Sequence, residues 1–382
     1  MLTLRKSLVA MVTAAALATT ASTFTANASA APHAATRAAL EAQVKAGHPG
    51  ALIQVRDGNG VWNASAGVAD LDTGRKRLPE DHIRIGSITK SFTSVVVLQL
   101  EAEGRLSLDD TVEKLLPGVV RGNGYDGRAI TLRQLLNHTS GVFNYSDDEN
   151  FEHMAREGWP EHRNDAKTPS ELVATGLSNK PDFAPGKGWN YSNTNYVLAG
   201  MIIEKVTGRT YASEVERRVI KPLGLRETTL PGTSVKMPEP HGRAYSKLLL
   251  HETNPDAKIW DTTEITNTWV WAAGEIISTT GDVNRYFGAL LGGKLLPAKQ
   301  QKELLTTVPT PDKRYAYGLG LYRMDLPCGG YVWTHGGGVH GSTSEATSSP
   351  DGRHTMMFNA NGDWATLEAT EVVKAEYCGT TA

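Results

Sequence analysis

Strand-forming segments lie at both ends of this 382-residue chain, and the long stretch between them reads as helix and loop. Near the start, residues 51–56 and 61–67 are short apolar runs joined by Asp57-Gly58-Asn59-Gly60, which supplies the turn of a hairpin. A short helix over 36–46 precedes them. Near the end, 317–323, 331–335 and 355–359 read as strands, the last entered through Ser349-Pro350-Asp351-Gly352. A closing helix is expected over 364–377. The chain must therefore leave a sheet and return to it. The expected fold is α/β, with one discontinuous domain from 31–86 and 262–382 and a mostly helical domain over 87–261. The active site is expected in the cleft between them.

In the middle stretch the apolar period changes to that of a helix. Val95, Val96, Leu98 and Leu100 continue one apolar face from Ser87 until Gly104 stops it. Leu132, Leu135 and Leu136 come before a turn-like His138-Thr139-Ser140-Gly141, and 197–206 forms another apolar helix ended by Gly208.

Residues 1–30 read as a signal peptide. Arg5 and Lys6 open it, 8–18 is apolar but too short to span a bilayer, and Ala28-Ser29-Ala30 offers small residues for cleavage after Ala30, with Ala28 as the second choice. No later run is long and apolar enough for a membrane helix, so the mature protein is expected to be secreted, extracellular and soluble, without a membrane partner. Net charge is −2, so there is no basic field to draw nucleic acid or anionic lipid. Export also makes a disulfide between the only two cysteines, Cys328 and Cys378, an expectation, with two buried thiols as the alternative. No metal or cofactor motif is present: His-Glu-x-x-His and paired-cysteine patterns are absent, as is the Gly-x-Ser-x-Gly elbow.

Three short motifs carry chemistry. Ser87-Ile88-Thr89-Lys90 is the one Ser-x-x-Lys in the chain. On a helix it sets an amine over a hydroxyl, and a desolvated lysine can act as base toward the serine. Alone the motif is weak, since about one chance match is expected in a chain this long. Gly86 before it lets a helix begin at Ser87, turning the Ser87 N–H toward an oxyanion. Tyr191-Ser192-Asn193 offers a phenol that, near an ammonium, would hold a lowered pKa and shuttle a proton. Asn193 can accept from Lys90 and donate to a substrate carbonyl. Trp333-Thr334-His335-Gly336-Gly337-Gly338 offers an edge that a substrate backbone can approach closely, with the Gly338 N–H as second oxyanion donor and His335 as a polar group beside Tyr191. Each of the last two, taken alone, also reads as an ordinary polar loop or glycine turn.

Together, Ser87-x-x-Lys90, Tyr191-x-Asn193 and His335-x-Gly337 resemble, in order and spacing, the serine β-lactamase and penicillin-binding superfamily. Arg84-Ile85-Gly86-Ser87 with Ser91-Phe92, 136–141 and 191–204 are similar to the secreted D-alanyl-D-alanine carboxypeptidase branch, and the likeness covers nearly all of the mature chain. It implies an antiparallel sheet flanked by helices plus the helical insertion, an acyl-enzyme on Ser87, and catalytic roles for Ser87, Lys90, Tyr191, Asn193 and His335.

The carboxypeptidase pattern is broken where that branch holds the substrate's terminal carboxylate with an arginine and two threonines. Those places fall on Tyr322, Gly336 and Gly338. Arg323 is next door but would point to the other strand face. Loss of those donors disfavours a charged terminus. Trp269, Gly337, Glu275 and Glu345 complete the expected substrate-side residues. The two glutamates read as solvent-facing carboxylates, the commoner case, or as cleft groups that hold a substrate ammonium. The expected substrates are thus small D-aminoacyl amides, esters, D-peptides or peptidoglycan fragments, with β-lactams as acylating agents. A true carboxypeptidase, an esterase, a β-lactamase and a non-catalytic peptidoglycan or β-lactam sensor are the alternatives.

Overall fold

The computed structural model describes residues 32–252, 254–365 and 368–379. The signal segment 1–30 lies outside the described residues. The chain divides into 1–32 and 33–382, and all that follows concerns the second unit.

Its frame is one eight-stranded antiparallel sheet. In chain order the strands are β1 (Gly50–Asp57), β2 (Gly60–Gly67), β3 (Val308–Pro309), β4 (Tyr315–Tyr317), β5 (Tyr322–Asp325), β6 (Tyr331–Val339), β7 (Ser342–Ser348) and β8 (Thr355–Ala360). Their order across the sheet is β2-β1-β8-β7-β6-β5-β4-β3. The first strand is thus an interior one, hydrogen-bonded to the last, with Ile53 opposite Phe358 and Val55 opposite Met356.

Alternation gives the sheet two apolar faces. Ile53, Val55, Met324, Val332, Met356 and Phe358 pack under α1 (Ala34–Lys45) and α5 (Thr370–Cys378), where Leu40, Val372 and Val373 meet them. The opposite parity, with Trp333, Ala346 and Met357, faces α2 (Thr89–Ala102), α3 (Asn193–Thr207) and α4 (Thr280–Leu291) in a larger core. In α2, Val95, Val96, Val97, Leu98 and Leu100 are all fully buried. Three successive valines are poor helix formers, so this helix is held by burial on every side rather than by propensity. Gly208, at φ +71°, ends α3 as expected.

Two expected elements differ. The run 317–323 is not one strand but the β4–β5 hairpin. Gly320 turns at φ +84° against the Lys90 carbonyl, and Gly318 N–H bonds Leu321 O at 2.8 Å. Two glycines so close together favour a reversal over an extended run. The closing helix starts at Thr370; Trp364 and Ala365 are not helical, and 366–367 lie outside the described residues. Cys328, beyond β5, and Cys378, at the end of α5, are paired with Cα atoms 5.7 Å apart. Among the described residues, no helix is long and apolar enough to cross a membrane.

Candidate active site

Ile83–Arg84 pairs with Ile277–Ser278 and leads the chain into a tight turn at Gly86. Gly86 sits at φ +53°, and a Cβ there would lie 2.7 Å from the Gly338 nitrogen. Only glycine permits both the left-handed backbone and the close approach of β6. The turn Gly86–Ile88 then feeds α2, which puts Lys90 one turn beyond Ser87.

Lys90 is the centre of the site. Its Nζ reaches Ser87 Oγ at 2.9 Å, Asn193 Oδ1 at 2.7 Å and the Ala273 carbonyl at 2.8 Å. The side chain is fully buried, and among the described residues no carboxylate pairs with it. Burial holds its pKa well below the usual lysine range. A neutral amine donates two protons and keeps a lone pair, which is what a base toward Ser87 requires.

Tyr191 completes this group. Ser87 acts on its hydroxyl, tending to lower its pKa, and its ring lies 4.8 Å from Lys90 Nζ. The expected lowering of its pKa does not occur. Burial, reinforced by Tyr322, holds the phenol well above its usual range. The reason is Lys90 itself: a lysine pushed toward neutrality offers no positive charge to stabilise a phenolate. The resting pair is therefore phenol and amine, a relay rather than an ion pair.

Asn193, the first residue of α3, accepts from Lys90 and donates through Nδ2 to Ser146 Oγ at 3.0 Å. His335 donates from Nδ1 to the Gly336 carbonyl at 2.6 Å, so its Nε2 accepts from the Tyr317 hydroxyl at 3.1 Å. Burial lowers its pKa to about 3, so the ring is neutral. It stands 6.4 Å from the Tyr191 ring, centroid to centroid.

The glycines of β6 form the opposite wall. A Cβ on Gly337 would be 1.9 Å from Ile85 O and 3.2 Å from Ser87 N, so this strand lies directly on the nucleophile turn. Ser87 N–H and Gly338 N–H thus stand on adjoining segments. Gly336 and Gly338, one residue to either side, line two separate cavities. The first, about 440 Å³, has Trp189, Tyr315, Tyr322, Thr334 and Glu345 in its walls. The second, about 430 Å³, includes Tyr145, Asn193, Trp269, Val270 and Val339. Ser87 adjoins the strand at Gly337, the residue between Gly336 and Gly338.

The glutamates are not solvent-facing. Glu345 is buried, accepts at Oε1 from the Thr334 hydroxyl, and burial raises its pKa to about 7. Its carboxylate fills space above Gly336, where a Cβ would meet Oε2 at 2.9 Å. Glu275 is also buried and raised to about 7, first by burial and then by Glu204, but it lines neither cavity beside Ser87. Ala273, two residues before it, holds Lys90, while both carboxylate oxygens of Glu275 are buried without a hydrogen-bond partner among the described residues. Arg323 lies on the other strand face, against Tyr331 and Asp325.

Sequence reasoning missed two contributors. The Ala273 carbonyl carries no side-chain signature at all. His138, fully buried at φ +64°, accepts at Nδ1 from Ser192 N–H and Asn195 Nδ2, both at 3.2 Å, and packs 4.4 Å from the Tyr191 ring. Its sequence signals were the turn 138–141 and its place in the 136–141 block, neither of which marks it as a support for Tyr191. Among the described residues, no group of three or more His, Cys, Asp or Glu is placed to hold a metal.

A family model described as Beta-lactamase matches residues 36–369. Among solved structures, a D-stereospecific amidohydrolase from Streptomyces sp. is 51% identical, with a TM-score of 0.87, covering 92% of this chain and all of that one. A D-amino acid amidase from Ochrobactrum anthropi SV3, complexed with L-phenylalanine, is 26% identical at a TM-score of 0.76, covering 88% and 93%. Penicillin-binding protein 4* of Bacillus subtilis is 26% identical over 335 residues, 85% of this chain and 71% of that relative. The chain spans only 54% of the length of Protein flp of Staphylococcus aureus, to which it is 28% identical.

Proposed function

Starting from a chain that belongs to the beta-lactamase family, we propose a secreted serine hydrolase that forms an acyl-enzyme on Ser87 and cleaves D-configured aminoacyl amides, esters or short peptides. The observation that carries the chemistry is Lys90, buried without a carboxylate partner among the described residues, 2.9 Å from Ser87 Oγ. The 51% identity to a D-stereospecific amidohydrolase supports the substrate class.

In this reading the Lys90–Tyr191 pair takes the Ser87 proton as Oγ attacks the carbonyl carbon. The developing oxyanion is held by the N–H groups of Ser87 and Gly338. The same pair returns the proton to the leaving nitrogen or oxygen, the acyl bond to Oγ remains, and water then releases the acid by the reverse relay. His335 and Tyr317 hold the wall beside Tyr191; His138 positions the Tyr191 ring. The leaving group takes its proton from Tyr191, so it lies toward the cavity bounded by Trp189, Tyr322 and Gly336. The acyl group occupies the other, apolar cavity beside Asn193, Trp269 and Val339. The name of the B. subtilis relative supports β-lactam acylation at the same serine.

The reading also excludes one substrate class. Tyr322, Gly336 and Gly338 offer no cationic side chain, and Glu345 adds a buried carboxylate above Gly336. A substrate carboxylate brought there is desolvated without paired donors, at a cost of several kcal/mol. Hydrolysis of a D-aminoacyl amide, its N-acetyl derivative and a diacyl D-alanyl-D-alanine peptide tests the assignment. The diacyl peptide should be the poorest substrate; if it is the best, the enzyme is a carboxypeptidase.

A further inference from the structure

The cavity on the Tyr191 side of Ser87 has an unusual wall for a place that receives only ammonia, an alcohol or a neutral amine. Three aromatic rings enclose it: Trp189 and Tyr322 stand edge to face at 6.4 Å, and Tyr315 and Tyr322 at 5.7 Å. Glu345 stands in the wall. Asp312, also in the lining, is already paired with Arg314, whose guanidinium lies over the Tyr315 ring at 5.5 Å. Among the described residues, Glu345 is thus the lining acid without a cationic partner, and no lysine, arginine or histidine is part of the cavity lining.

Glu345 is under-used where it stands. Thr334 satisfies Oε1. Among the described residues Oε2 has no hydrogen-bond donor, and it lies directly over Gly336. Any side chain at 336 would occupy that space, since its Cβ would meet Oε2 at 2.9 Å. The glycine therefore keeps the carboxylate accessible from the cavity. A buried carboxylate with an open lone pair gains most from a cation, and aromatic faces around it add cation–π attraction.

We propose that this cavity is a receptor for a cationic leaving group: the enzyme favours D-aminoacyl substrates whose departing amine carries a second, positively charged group, held by Glu345 within the Trp189–Tyr315–Tyr322 walls. The assignment of the cavity to the leaving side rests on the acyl-enzyme reading above; the presence of a cation site does not. The glutamate thus reads the departing half of the substrate, not the amine of the acyl half.

Two experiments at pH 8 separate these layers. In the first, pentylammonium, 1-pentanol and pentanoate are titrated against the mature protein, following the fluorescence change that Trp189→Phe removes. Pentylammonium should bind about ten-fold tighter than pentanol, and pentanoate weakest. Glu345→Gln should erase the difference. Equal binding of the ammonium and the alcohol, or a preference that survives Glu345→Gln, overturns the proposal. If that variant does not fold, the ranking of the three ligands on the wild-type protein decides alone. In the second, kcat/KM is compared for D-phenylalanyl-lysine amide and D-phenylalanyl-norleucine amide. The lysine substrate should win by about ten-fold, and a ratio near one places the cation site outside the leaving-group path and overturns the substrate claim. If neither is hydrolysed while pentylammonium still binds through Glu345, the D-aminoacyl reading has failed and the cation site stands.

Discussion

Replacing Gly337 by alanine is the sharpest test of how the site is held. The added Cβ falls 1.9 Å from Ile85 O, more than 1 Å inside the closest approach that real Cβ atoms make. The obstacle is backbone, so no side chain can swing aside. Either β6 or the Ile85–Ser87 turn must move, and both carry a proposed oxyanion donor. Displacement of a reacting group by about 1 Å costs roughly 10²-fold in rate. Overpacking of this kind also costs about 1–3 kcal/mol of stability, or a fall of roughly 1–4 °C in Tm for a folded unit of this size. Gly338→Ala is the control, because a Cβ there meets nothing within 4 Å. Its Tm should stay within about 1 °C of wild type, as expected for a substitution into open space, and any loss of rate should grow with acyl size. The assay is kcat/KM on one D-aminoacyl amide alongside thermal melting. A Gly337→Ala enzyme with wild-type kcat/KM and Tm would refute the claim that this strand contact sets the geometry.

The remaining predictions can be read from single groups. Ser87→Ala should abolish turnover and labelling by a serine-reactive phosphonate, and labelling at another serine by intact mass would overturn the assignment; Lys90→Ala should cost several orders of magnitude, about 10³-fold or more, because base and activation fail together. Activity should fall on acidification as Lys90, held well below its usual pKa, takes up a proton. His335, lowered to about 3, contributes no limb between pH 5 and 10, and Glu275 and Glu345 titrate near 7. The limb is therefore to be measured in the Glu275→Gln/Glu345→Gln double variant, where a flat profile over that range contradicts the relay. The limb belongs to the coupled Lys90–Tyr191 pair, not to either group. Reducing the Cys328–Cys378 bridge, which closes a loop of 50 residues, should cost about 4 kcal/mol on the chain-entropy estimate while the rate at low temperature changes far less; two free thiols by non-reducing peptide mapping would remove the bridge. Glu376 accepts from Thr36 Oγ1 at 2.6 Å and pairs with His33 and His354. Its hydrogen bonds outweigh burial and hold its pKa below the ordinary 4.5, so its contribution is present above that value and lost as pH falls through the lower folded one. Glu376→Gln should flatten that acid limb of stability, and an unchanged melting profile between pH 3 and 6 would refute it.

The frame of the fold was legible because it rests on local patterns. Alternation in β1, β2 and β8 and the helix beginning at Ser87 follow from residues within a few positions of one another. Within the site, the Ser87–Lys90 spacing is likewise a one-turn relation. What stayed hidden depends on long-range packing. The two readings of Glu345 differed only in which strand face is covered, and that is decided by α5 and the Trp189 segment, far away in the chain. The Tyr191 pKa could not be inferred from a nearby lysine, because the charge on that lysine is itself set by burial. The Ala273 carbonyl is backbone, and any residue type would have supplied it. The β4–β5 reversal was written in Gly318 and Gly320, but those glycines sit inside an otherwise strand-like run.

Lys90 draws its three hydrogen-bond partners from positions 87, 193 and 273, contributed by stretches of chain about 190 residues apart end to end. In an incompletely folded chain water surrounds this amine and it keeps its proton, near the ordinary lysine value. Ser87 is then an unremarkable alcohol. Only when the three stretches close around the side chain does the amine give up its proton, so that a lone pair is free to take the one on Ser87 and the alcohol becomes an attacking group. Reactivity is therefore a property of the finished molecule rather than of the motif, and on the proposed acyl-enzyme route nascent or unfolded copies cannot be acylated at Ser87.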